Sequence, residues 1–148
     1  MKIYIIIVFI VVSNLFGHCQ IPCGIYDDKR IILELEEDIV TISKAIDNII
    51  LLSNKSQKSA QDNNQLTRWI NTKDEHAEGI QNSFMTYFLA QRIKPQKSSN
   101  DEYQRYVQMT LLSQEIIYYA MKTKQTVDKK NIEMVQRLIA DFSALYLN

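Results

Sequence analysis

The chain has 148 residues, 17 basic and 17 acidic, so it carries no net charge at neutral pH, and 46% of its residues are hydrophobic. That balance gives no support for nucleic-acid binding, and no basic stripe along the chain restores the idea. With three glycines and two prolines in all, long helices are the natural expectation.

The first segment reads as a secretory signal peptide. Lys2 supplies the positive start, Ile3 to Val12 form an apolar run of ten residues, and Ser13-Asn14-Leu15-Phe16-Gly17 turns more polar and ends small. Ten apolar residues are too few to span a bilayer comfortably. The alternative is an uncleaved anchor or a buried N-terminal helix. A lipid-attachment site at Cys19 is set aside, because His18 stands where such a site needs a small residue. Cleavage after Gly17 is expected, leaving residues 18–148 as one domain with 16 basic and 17 acidic residues. Such a product is exported, periplasmic or extracellular, and keeps no stable membrane association.

Next comes His18-Cys19-Gln20-Ile21-Pro22-Cys23, which holds both cysteines and one of the two histidines. Cleavage before His18 exposes an amine beside an imidazole, a backbone amide and two thiols. Amine and amide nitrogens with two thiolates in one plane suit square-planar nickel or copper rather than tetrahedral zinc. The His18 imidazole then reaches an axial position. Pro22 sets the direction of the turn, and its preceding bond is a candidate for the cis form. Gly24 lets the backbone leave the turn without steric penalty, and Tyr26 follows where it can cover the site. Two rivals remain at this point: a secreted nickel- or copper-binding helical protein without turnover, and a helical interaction module with a Cys19–Cys23 disulfide.

The remainder predicts four amphipathic helices. The first starts at Asp27 or Asp28 and runs to about Leu52, with Ile32, Leu35, Ile39, Ile42, Ile46 and Ile49 on one seam at alternating spacings of three and four. A polar loop over residues 53–59 follows. The second helix spans about Asn64 to Arg92, with Leu66, Ile70, Ala77, Ile80, Phe84, Tyr87 and Phe88 inward and Trp69 flanking them. Lys94-Pro95 and the polar run to Asn100 end it. The third covers about Asp101 to Thr123 on a stripe of Tyr103, Val107, Leu111, Gln114, Ile117 and Met121. The fourth covers about Val127 to Leu145, using Ile132, Val135, Leu138, Ile139, Phe142 and Leu145. Short loops between four such helices predict an all-α, antiparallel up-down-up-down bundle over about 27–146 behind a hook at 18–26. Tyr103, Tyr106, Tyr118 and Tyr119 fit either core packing or a subunit interface.

His18-Cys19-x-x-Pro22-Cys23-Gly24-x-Tyr26-Asp27 resembles the nickel-binding hook of nickel-containing superoxide dismutases, closely in the hook and more weakly over the helices. The resemblance implies an enzyme that disproportionates superoxide to dioxygen and hydrogen peroxide by Ni(III)/Ni(II) cycling, with one nickel ion per subunit in a homohexamer. It makes His18, Cys19 and Cys23 the metal ligands: the His18 amine and axial imidazole, the Cys19 amide and thiolate, and the Cys23 thiolate. It implies a cis Ile21-Pro22 bond and makes Tyr26 the tyrosine that screens the open face. Glu34 falls at the spacing of the glutamate that holds the axial imidazole. His76 stands where better-known members carry an arginine behind that glutamate; a histidine there can still bond Glu34, and the alternative is a surface histidine. Gln20 replaces an aspartate and Leu89 a lysine, so any steering of the anion has to come from elsewhere. Arg30 and Lys73 are the candidates.

Overall fold

The computed structural model describes residues 28–147. The leader and the hook, with His18, Cys19, Cys23 and Tyr26, lie outside the described residues. Those described are all helical, without a strand: α1 Asp28–Ser53, α2 Ala60–Asn82 continuing into a π-helical stretch Ser83–Arg92, α3 Tyr103–Gln125 and α4 Lys129–Leu147. None of these helices is long and apolar enough to cross a membrane.

All six expected seam residues of α1 are buried, together with Ile31 and Ala45. Large aliphatics at three-four spacing leave a helix one way to hide them. α2 begins four residues before the predicted start, and its cap explains why. The Ser59 hydroxyl accepts the Asp62 amide at 3.1 Å while the Asp62 carboxylate accepts the Ser59 amide at 2.9 Å. This reciprocal box satisfies two orphan donors, so the polar residues after it are helical despite having no apolar period. α4 starts in a related way, with the Asp128 carboxylate accepting the Lys130 amide at 3.0 Å.

Two of the expected stripes are shifted. On α2, Ile70 is exposed and Lys73 occupies the inward position. On α3, Leu111 and Gln114 face outward, while Ser113, Ile116, Ala120 and Thr123 form the buried line. Ser113 and Thr123 fit there because each hydroxyl bonds a carbonyl one turn back, at 2.7 and 2.9 Å. A stripe drawn through bulky residues misses a seam built from small ones.

Each helix packs on its chain neighbours, and α4 closes back on α1. Cross-helix partners run in opposite order. Asp28 meets Arg92 while Asp38 meets His76, Lys73 meets Thr123 while Gln81 meets Ile117, and Asp28 meets Tyr146 while Asp47 meets Lys129. Neighbouring helices in this bundle therefore run antiparallel. At one end the core is aromatic: Phe88 packs edge-on against Phe142 at 4.8 Å, and Phe142 stacks on Tyr146 at 5.4 Å. That end carries the first residue of α1.

Candidate metal centre

The start of α1 is held by a polar cluster drawn from three helix ends. Asp28 has its side chain 17% exposed. One of its carboxylate oxygens accepts the Tyr87 hydroxyl. The other accepts the Tyr146 hydroxyl at 2.8 Å and the Arg92 guanidinium at 2.5 Å. Arg92 Nε also donates to the Tyr146 oxygen at 2.9 Å, and its guanidinium lies 5.8 Å from the Tyr87 ring centre. Burial pushes the Asp28 carboxyl up, but the hydrogen bonds from Tyr87, Tyr146 and Arg92 together outweigh it and hold the group below the usual carboxylate range. Burial and the Asp28 carboxylate push the Tyr87 phenol well above its ordinary value. Burial likewise raises Tyr146. Both phenols stay protonated donors and Asp28 stays charged.

Beside this cluster lies an open groove of about 620 Å³, lined by Arg92, Lys94, Arg105, Glu102, Tyr106 and Tyr146 among others. Arg105 donates to the carbonyls of Leu145 and Tyr146 at 2.9 and 3.4 Å, capping the end of α4. Two of the three cations are thus committed to the fold.

Further along α1, Glu34 is exposed and pairs with Arg30 at 3.3 Å. Of the two readings of His76, a bond to Glu34 is not formed, and the residue is not a bare surface histidine either. His76 Nδ1 lies 2.6 Å from an oxygen of Asp38 instead, one turn beyond Glu34. The register of α1 against α2 sets His76 level with Asp38. A Cβ on Gly79 would stand 3.6 Å from the other Asp38 oxygen, an ordinary contact, so the pair does not require a glycine there. Lys73 is also placed differently from its expected role. Its amine is buried and donates to the carbonyls of Thr123 and Lys124 at 2.9 and 2.8 Å and to Asp74 at 2.6 Å. It closes the C-terminal end of α3 and leaves no charge to guide an anion.

Among the described residues no three of His, Cys, Asp and Glu gather as a metal site. The chain's two cysteines are Cys19 and Cys23, and thiolates beside amine and amide nitrogens are the donor set that fits nickel. A model of the nickel-containing superoxide dismutase family matches residues 13–148, the hook segment included. The chain belongs to that family. No curated protein and no solved structure gives a significant match. As a nickel-dependent superoxide dismutase, the protein acts on superoxide with nickel as its cofactor. Of the residues the sequence singles out for this superoxide dismutase, the structure places Glu34 and His76 on facing helices but pairs them with Arg30 and Asp38. Asp28 and Arg92 enter the sequence reading only as helix ends, and Tyr146 does not enter it. Asp28 directly follows the motif, which was a signal available to it. Nothing local marks the other two.

Proposed function

We propose that this superoxide dismutase matures by cleavage after Gly17 and binds one nickel ion per subunit at its new N-terminus. His18 would hold the ion through its amine and its imidazole, Cys19 through its amide nitrogen and thiolate, and Cys23 through its thiolate. Bound nickel would supply one-electron redox chemistry toward superoxide, the Ni(III)/Ni(II) couple that the family resemblance implies. The chain's part is to hold those donors, to exclude other ligands from the open face with Tyr26, and to orient the imidazole. Glu34 suits the last task, because its carboxylate is exposed on the first helix and has a second oxygen beyond the Arg30 pair. His76 supports that face indirectly, by fixing Asp38 one turn further on.

The domain is an up-down-up-down four-helix bundle over about 27–146 with its hook at 18–26. It is exported, and it assembles as a homohexamer. The observation that carries this reading is the run His18-Cys19-x-x-Pro22-Cys23-Gly24-x-Tyr26-Asp27 inside the matched stretch.

Intact-mass analysis of the secreted protein, combined with nickel stoichiometry and superoxide consumption, tests it. A chain beginning at His18 with one nickel and rapid turnover is expected. A chain beginning elsewhere lacks the amine donor and sinks the ligand set. Nickel without turnover favours a binding protein, and a Cys19–Cys23 cystine without metal favours an interaction module.

A further inference from the structure

The polar cluster at the bundle end is built at a cost in backbone regularity. Tyr87 and Arg92 are five residues apart, and in an ordinary α-helix that spacing turns two side chains about 140° away from each other. The stretch Ser83–Arg92 is π-helical, with the Ile93 amide bonding the Phe88 carbonyl at 2.8 Å. The wider turn brings positions five apart onto one side, so both the Tyr87 phenol and the Arg92 guanidinium reach Asp28. Isolated π-helical turns often sit at functional sites. α4 adds its last turn through Tyr146, which bonds both Asp28 and Arg92. Three helix ends are thereby committed to one carboxylate.

That carboxylate belongs to the residue where the described domain begins. Five peptide steps separate it from Cys23, at most about 18 Å of fully extended chain. Over so short a connection, the position of Asp28 limits where a ligand that has to be held within a fraction of an ångström can sit. A phenol bonded to a charged group contributes more than a neutral pair does, and here two phenols and a guanidinium act on the same two oxygens. The neighbouring Phe88 and Phe142 rings exclude water from beneath them.

We infer that Asp28, Tyr87, Arg92 and Tyr146 form a root clamp, a set of positioning residues that fixes the bundle end of the nickel hook. The inference rests on reading His18, Cys19 and Cys23 as the nickel ligands. The role assigned to the clamp is positional and invokes no contact with metal or substrate. Its effect is on how long the hook keeps its geometry, and so on how readily nickel leaves.

The test uses the mature, nickel-loaded protein carrying Asp28→Asn or Tyr146→Phe, with Glu75→Gln, an exposed carboxylate of α2, as control. Nickel release into excess EDTA is followed at a temperature well below melting, with circular dichroism recorded alongside. Release about tenfold faster or more is expected from each clamp variant, in the range seen when partners of metal ligands are removed, with helix content unchanged and the control like wild type. Release at the wild-type rate from both folded clamp variants overturns the clamp and leaves the hook reading intact. Faster release only where helix content also falls reduces the cluster to a staple of the fold and overturns it as well. If Cys19→Ser/Cys23→Ser protein holds nickel as wild type does, the hook reading itself fails, and the clamp with it.

Discussion

Asp28 shows how much a single carboxylate can be asked to do when its partners come from two other helices. Removing it from water disfavours the charge, and three hydrogen bonds to the charged form reverse that balance. The sign of its pH effect follows. A carboxyl whose folded value lies below its unfolded one, about 3.9 for aspartate, contributes stability that is fully present above the unfolded value. That contribution is lost as pH falls through the folded value. Melting temperatures of wild type and Asp28→Asn measured from pH 7 down to about 3 are expected to differ by a constant gap to about pH 5 and to converge below about pH 4. A gap that persists unchanged at the acid end contradicts the lowered carboxyl. Lys73 offers the opposite lesson. By type it reads as a surface cation, but a buried amine with three acceptors in place is a cap on α3. A sequence gives residue type and spacing, and neither tells a lysine that steers from one that closes a helix.

Among the elements, α1 was legible throughout and α3 was not, for a physical reason. Six isoleucines and leucines at three-four spacing carry a strong period, whereas Ser113, Ala120 and Thr123 gain their places by fitting close to a neighbouring helix and bonding their own backbone. The Ser59–Asp62 cap was readable as a motif, yet it was masked by the polar run around it. The π-helical stretch had no readable signature at all, because Tyr87 and Arg92 look unrelated at any α-helical period. The same stretch gives a direct prediction. Met85 is exposed on it, so deleting Met85 removes one residue of excess winding at little packing loss. The shortened segment should relax to α-helix and part Tyr87 from Arg92. Losing two or three hydrogen bonds, part-buried or exposed, at about 0.5–1 kcal/mol each lowers unfolding stability by about 1–3 kcal/mol. Urea titration measures that change, and near-ultraviolet circular dichroism should show the altered tyrosine environment. A deletion variant as stable as wild type, with its tyrosine signal intact, contradicts a role for the wide turn.

For the whole molecule, the proposed metal donors rest on residue types and spacing alone, while the polar cluster at the bundle end depends on contacts between residues up to 118 positions apart. The same limit applies to assembly. Leu33 and Val40 of α1 are 57% and 67% exposed, and Leu111 and Tyr118 of α3 are 55% and 46% exposed. Each pair is seven residues apart and so lies along one helix face. α1 and α3 are not neighbours in the bundle, which puts the two strips on different sides of the subunit. A closed hexamer with dihedral symmetry needs two kinds of contact, and two separate apolar strips meet that need where a dimer requires only one. In the proposed homohexamer, second copies of the chain cover both. Leu33→Lys/Val40→Lys and Leu111→Lys/Tyr118→Lys each place charge on one strip while leaving the buried seams untouched. Sedimentation equilibrium of the wild-type protein should give six subunits, and each double variant should fall to a smaller assembly with its helix content retained. A wild-type monomer removes the hexamer. A wild-type hexamer that both variants preserve moves its contacts to other surfaces.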